Sequence, residues 1–320
     1  MSFVSLALAS ALLMTSCSGL GGDPAGSPAP AKSPTKGSVA ARAQANDAKP
    51  RLTVFAAYAT SIEEPWDGVI HEALLAAEAE GRITYTWKDA IGYRGDMPAQ
   101  CDSLHDIAAG DNPPDVIFGD AFGSEEAVRE VAAQYPKIAF VFGSGLGPAE
   151  PNLSVFDNWI HEPAYLSGLL AGSLTQTDII GVVAGFPVPE VNRLVNAFIQ
   201  GAIRETNLDV KVKVDFINSW YDPALAKRTA ETQIAGGAPA LACCVRGDVI
   251  FAERLGAHEA AQTKGLVAFG NMSDQNALAP DTIVSGPVWH MQPTVNYVLT
   301  QVAIREAFSP RRTSKTSAAW

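Results

Sequence analysis

The chain has 320 residues, with 23 Lys and Arg against 34 Asp and Glu, and a formal net charge of −11. That balance argues against a nucleic-acid partner, because phosphate binding needs clustered cations, and the one basic cluster is Arg311, Arg312 and Lys315 near the C-terminus. With 47% hydrophobic residues, the part of the chain after residue 50 can bury the core of one large or two medium domains.

The opening run MSFVSLALASALLMTSC (1–17) is apolar but too short to span a bilayer as a permanent helix. It predicts a secretory signal. It ends on Cys17 behind small residues, which resembles a bacterial lipobox: cleavage before Cys17, lipidation of its thiol, and a lipid-anchored protein outside the cytoplasmic membrane, periplasmic or at the cell surface. No Lys or Arg precedes the apolar run, and an ordinary cleaved signal with an incidental Cys is the alternative. Residues 18–50, rich in Gly, Ser, Pro and Ala, predict a flexible tether. Its root-mean-square span is about 30 Å as a coil.

After Pro50, apolar strand-like runs alternate with helical spacing. LTVFAAY (52–58) predicts a strand, Trp66–Glu80 a helix, RITYTWK (82–88) a strand, and the stretch through Leu104 and Ile107 a helix. PDVIFGD (114–120) and KIAFVFG (137–143) predict strands flanking a helix over 125–135. The pattern restarts after SVFDNWI (154–160). A helix over Ala164–Leu174 leads to strands at 178–186 and 210–217, with a helix over 191–205 between them. A helix over 224–235 follows, then strands opening at 248 and at 266. Strand and helix in alternation with short links signal α/β architecture, a parallel sheet covered on both faces. The sequence therefore predicts two doubly wound parallel-sheet lobes joined by a hinge, the layout of a type I periplasmic-binding fold. The expected division is 51–157 plus about 273–287 for the first lobe, 158–272 plus about 288–308 for the second, and an irregular tail at 309–320.

Little in the chain suggests catalysis or a cofactor. Cys101, Cys243 and Cys244 form neither a disulfide framework nor a metal spacing, and the five His residues are scattered. GSGLGP (143–148) lacks dinucleotide-loop spacing, and Pro148 and Pro151 block the helix that should follow. Neither a Walker motif nor a nucleophile elbow is present. Glu63 and Glu64 read as a solvated pair.

In an open α/β sheet, ligands sit beyond the carboxyl ends of the strands. That rule selects Ser61, Trp66, Asp120, Phe122 and Ser144 in the first half and Phe186, Trp220, Asp222, Glu253, Asn271 and Asp274 in the second. Asn158 and Trp289 complete the candidate set. Nearly every strand end carries an aromatic. Aromatics stack planar ligands, and the interspersed Asp, Asn and Ser would orient them, which suits a heterocycle such as a nucleobase.

Six strings carry a family resemblance: IEEPWDGVIHEAL (62–74), DVIFGDAFGSEEAV (115–128), YPKIAFVFGSG (135–145), EPAYLSGLLAGSLT (162–175), IIGVVAGFPVPEVNRLVNAFIQGA (179–202) and FGNMSDQ (269–275). They resemble the basic membrane protein family, substrate-binding lipoproteins of ABC importers for purine nucleosides and related compounds. The resemblance implies a small-molecule ligand held between two lobes, no catalysis, and permease and ATPase subunits as partners. It places the aromatic clamp on Trp66 and Phe186, the base-pocket loop on Asp120 and Phe122, and a further ligand loop on Trp220 and Asp222. Two positions depart from the family pattern. Met272 stands where an Asp is implied to hold ribose hydroxyls, and Trp289 where a Lys is common. The expected ligand is therefore a free purine base or related heterocycle rather than a nucleoside. A ligand-sensing receptor of the same fold is the alternative, followed by an α/β enzyme acting on nucleosides. The stretch PALACCVRG (239–247) reads as an insertion, and after Ala307 the family pattern stops, which suggests an altered terminus.

Overall fold

The computed structural model describes residues 51–91, 97–122, 124–205, 210–236, 249–252 and 254–308. The expectations for Cys17, the tether, Cys243, Cys244, the 239–247 insertion, Glu253 and the 309–320 tail lie outside the described residues. Everything described falls in one compact unit, 48–320.

The first sheet contains β1 (Leu52–Ala57), β2 (Ile83–Lys88), β3 (Val116–Asp120), β4 (Ala139–Gly143) and β5 (Leu153–Phe156), in spatial order β2-β1-β3-β4-β5. Every pairing is parallel. Parallel neighbours need a crossover, and three helices supply it: α1 (Pro65–Ala79), α2 (Met97–Ala109) and α3 (Glu125–Gln134). The α1 helix starts where it does for a local reason. Glu64 at the N-cap accepts the amides of Trp66 and Asp67, and Pro65 occupies a first-turn position that needs no N–H donor.

The second sheet repeats the plan. It holds β6 (Ile179–Ala184), β7 (Lys211–Phe216), β8 (Val249–Ala252), β9 (Val267–Phe269) and β10 (Ile283–Ser285), in order β7-β6-β8-β9-β10, again all parallel. Its helices are α4 (His161–Leu174), α5 (Pro189–Glu205), α6 (Pro223–Ile234) and α7 (Ala257–Lys264). Helices α4 and α5 pack together, as do α6 and α7. The core divides accordingly. One cluster includes Phe198, Phe251 and Phe269 together with Val54, Ile70 and Phe118, a second lies between the second sheet and α6–α7, and a third between the first sheet and α2–α3. Burial on both faces explains why β6, IIGVVA, is buried along its whole length.

The lobe boundaries differ from the expectation in two places. Residues 273–287 were assigned to the first lobe, but β10 pairs with β9 in the second sheet. The link between these two strands, residues 270–282, carries a 3-10 turn at Asn276–Leu278, and β10 stays beside its predecessor. Residues 288–308 were assigned to the second lobe, but α8 (Gln292–Phe308) packs against α1 of the first. Arg82 Nη1 donates to Asn296 Oδ1 at 2.5 Å and Arg305 Nη2 to the Pro136 carbonyl at 3.1 Å, tying α8 there. The chain thus crosses between lobes after β5 and again after β10.

Candidate ligand-binding cleft

Both sheets share one topological switch point, between their first and third strands in chain order. At such a point the flanking loops diverge and leave a crevice. The loops after β1, β3, β6 and β8 therefore open towards one another. They line a cleft with about 490 Å³ of empty space, the open solvent at its mouth included.

Its lining is Thr60, Glu64, Trp66, Asp120, Phe122, Ser144, Ile160, Glu190, Val191, Leu194, Trp220, Arg254 and Met272. Three rings form walls. Trp66 stacks on Phe156 with centroids 5.9 Å apart and planes 15° apart, and leans on Trp289 at 5.2 Å. Its indole fits because Gly143, at the end of β4, has no side chain: a Cβ there would overlap the indole ring. From the other lobe, Trp220 lies over Gly185 in the same manner, its ring 2.9 Å from where a Cβ would stand. Phe122 meets Trp220 edge-on at 4.9 Å and 88°, and Phe186 backs both rings at 6.3 and 4.9 Å.

The cleft is acidic, with Glu64, Asp120 and Glu190 against one lining cation, Arg254. Arg254 Nη1 donates to Glu64 Oε1 at 3.0 Å, and the two side chains are only 5% and 3% exposed. Behind them Asp67 accepts from Thr60 N at 2.9 Å and Thr60 Oγ1 at 2.6 Å. Burial holds the Asp67 carboxyl well above its usual range, with Asp120 and Glu64 adding to the effect.

Burial also pushes the Asp120 carboxyl up from 3.8 to about 7, aided by Glu190 and Glu64 and opposed by the Phe122 amide and the Ser144 hydroxyl. At neutral pH it can therefore donate as well as accept a hydrogen bond. A carboxyl whose pKa rises on folding binds extra protons in the folded state, so stability falls as pH climbs from about 4 to about 7. Asp120→Asn removes this penalty and keeps an acceptor for the Phe122 amide, which lies 2.8 Å from Asp120 Oδ1. We expect a melting temperature about 2–4 °C above wild type at pH 8, a gain that shrinks by more than half at pH 5. An equal gain at both pH values in a melting series would show that ionisation of Asp120 is not the cause.

Of the residues selected from sequence, Trp66, Asp120, Phe122, Ser144 and Trp220 line the cavity, and Phe186 supports its wall. Asn158 is buried behind Met272, its Nδ2 3.7 Å from the Met272 sulfur. Trp289 backs Trp66 instead of facing the cavity, and donates its amide to the Met272 carbonyl at 2.7 Å. Asn271 is buried next to Met272, and its carbonyl accepts from Gln275 Nε2 at 2.8 Å.

Three expected residues stand away from the cavity, each because local chemistry claims it. The Ser61 carbonyl accepts the Glu64 amide in the turn before α1. Asp222 caps α6, its Oδ1 2.9 Å from Leu225 N. Asp274 is exposed and holds the Asn276 amide at 3.1 Å. The expectation for Glu64 is also corrected. It is 2% exposed, paired and capping a helix, while Glu63 alone faces solvent.

Sequence reasoning missed Thr60, Ile160, Glu190, Val191, Leu194 and Arg254. The i, i+3 spacing of Val191 and Leu194 on α5 was a usable signal for one helical face. Arg254 carried none, because its partner lies 190 residues away. Among the buried polar atoms of the described residues that have no hydrogen-bond partner in the structure are Trp66 Nε1 and Asn158 Oδ1. Among the described residues there is no group of three or more His, Cys, Asp or Glu that could hold a metal ion, and no helix is long and apolar enough to cross a membrane.

Comparison with known proteins agrees with this architecture. A protein of Haloferax volcanii, provisionally named an ABC transporter glucose-binding protein, is 32% identical over 208 residues, 64% of this chain and 50% of its own length. A purine-binding protein of Brucella abortus is 31% identical over 175 residues, 54% of this chain and 47% of its own. The chain thus spans about half the length of these curated relatives. An ABC transporter solute-binding protein from Conexibacter woesei shares the fold, with a TM-score of 0.60 at 17% identity over 79% of this chain and 81% of that one. The family model described as ABC transporter substrate-binding protein PnrA-like matches residues 54–311, and the chain belongs to that family, Bmp.

Proposed function

We propose that the protein is the extracytoplasmic substrate-binding component of an ABC importer and captures a free purine base or a closely related flat heterocycle, without chemical conversion. One observation carries the ligand class. Where the family resemblance implies an Asp for ribose hydroxyls and a Lys, this chain has Met272, buried in the cavity lining, and Trp289, packed behind Trp66. Met272 offers no partner to a ribose hydroxyl, and a hydroxyl desolvated against it is left unpaired, which penalises a nucleoside. Trp66, Phe122 and Trp220 suit a planar ring, and Asp120 and Ser144 in the same lining supply hydrogen-bonding groups. Anchoring through Cys17, and permease and ATPase partners, belong to the same proposal.

A second reading is a monosaccharide, favoured by the name of the Haloferax relative. Aromatic walls also stack on sugars, but a sugar needs many polar partners, and Ile160, Val191, Leu194 and Met272 fill much of this lining with apolar groups.

Mass spectrometry of small molecules released on unfolding, followed by calorimetric titration, separates the readings. Adenine or hypoxanthine should bind at least 10-fold more tightly than adenosine or inosine, and glucose should give no heat. Met272→Asp combined with Trp289→Lys should narrow the gap between base and nucleoside. Tighter binding of nucleosides by the wild type would overturn the base assignment, and heat from glucose alone would establish the sugar.

A further inference from the structure

Arg254 and Glu64 come from opposite lobes, each in a loop at its sheet's switch point. Their 3.0 Å ion pair spans the cleft. Arg254 Nη1 also donates to the Trp220 carbonyl at 3.1 Å, and its guanidinium carbon lies 5.2 Å from the Trp220 ring centroid. The other Glu64 oxygen, Oε2, accepts the amides of Trp66 at 2.8 Å and Asp67 at 3.2 Å. One continuous set of contacts thus runs from the backbone of one aromatic wall, through the ion pair, to the other wall. Among the described residues, the other acidic groups around the pair are the carboxyls of Asp67, Asp120 and Glu190.

We propose that Arg254 and Glu64 form the closure latch of the cleft and that Arg254 is a positioning residue, holding Trp220 opposite Trp66 when the lobes meet. The role in ligand capture rests on the binding-cleft reading above. An ion pair between lobes differs from one inside a core. Opening returns both charges to water, so pairing is close to balanced against desolvation and the latch can release. Removing one partner is different. The closed state then buries one charge without its ion-pair partner, while the open state does not, so the penalty falls on closure.

The test uses the full chain carrying Arg254→Met, Glu64→Gln, or both. Small-angle X-ray scattering without added ligand should show Arg254→Met expanded relative to wild type and the double variant returned towards wild type, because it no longer buries an unpaired charge. In stopped-flow binding of adenine, Arg254→Met should raise koff at least 10-fold and change kon less than 3-fold. Melting curves check that each variant is folded, and Glu64→Gln carries the single-charge comparison if Arg254→Met does not fold. Identical scattering for the wild type and the folded single variants would overturn the latch. Absence of adenine binding by the wild type would refute the purine ligand instead, while the scattering comparison still decides the latch.

Discussion

Gly143→Ala should lower affinity for a purine base roughly 30-fold, about 2 kcal/mol. A Cβ at position 143 would overlap the Trp66 ring and come within 2.8 Å of Phe156 Cε2. Gly143 is the last residue of β4 and is paired with Phe156 of β5, so the strand cannot easily retreat. The indole must move instead. It would leave its 5.9 Å stack on Phe156 and its contact with Trp289. The displaced indole no longer offers its face to the ligand, and losing one aromatic stacking partner, about 0.5–1.5 kcal/mol beyond area burial, together with the buried area, gives an effect of the expected size. Near-ultraviolet circular dichroism should change even without ligand, because a buried indole changes surroundings. Adenine affinity within 2-fold of wild type, together with an unchanged spectrum, would show that the wall tolerates the methyl group.

Gly168→Val should be the most destabilising of these substitutions, by about 3 kcal/mol, or about 6–12 °C in melting temperature. Helices α4 and α5 cross so closely that a Cβ on Gly168 would overlap the Phe198 carbonyl oxygen. The contact is reciprocal, since a Cβ on Gly201 would overlap the Tyr165 carbonyl oxygen and lie 2.8 Å from Leu169 N. These obstacles are backbone, so no rotamer change relieves them, and the helices must separate. Separation would loosen Phe198, which is fully buried and stacks on Phe251 of β8 at 4.4 Å and 11°. Thermal melts of the two proteins measure the effect. A shift below 2 °C would mean that the helices slide apart without disturbing the core.

The parts legible in sequence were those with a local signal. VIFGD and IIGVVA read as strands because strands covered on both faces are apolar without alternation. Trp66, Asp120, Phe122, Ser144 and Trp220 were selected because the strand-end rule depends only on where strands stop. The same rule also selected Ser61, Asp222 and Asp274, where a turn, a helix cap and an exposed local hydrogen bond claim the residue. Strand β10 has three residues, too few for a period. The return of α8 to the first lobe depends on Arg82 and Arg305 meeting partners 214 and 169 residues away in the chain.

By itself, the sequence determined that two parallel-sheet units of similar plan follow one another and that aromatic and acidic residues sit at their strand ends, because apolar runs, helical spacing and turn positions are properties of neighbours along the chain. Only the tertiary structure decided that Glu64 is a buried partner of Arg254 and not half of a solvated pair, that Trp289 supports Trp66 from behind, and that Asp120 is recessed enough to hold a proton near pH 7. Burial, ion pairing and ring packing depend on distances between residues far apart in sequence. Those distances are fixed only when both lobes are assembled around the cleft.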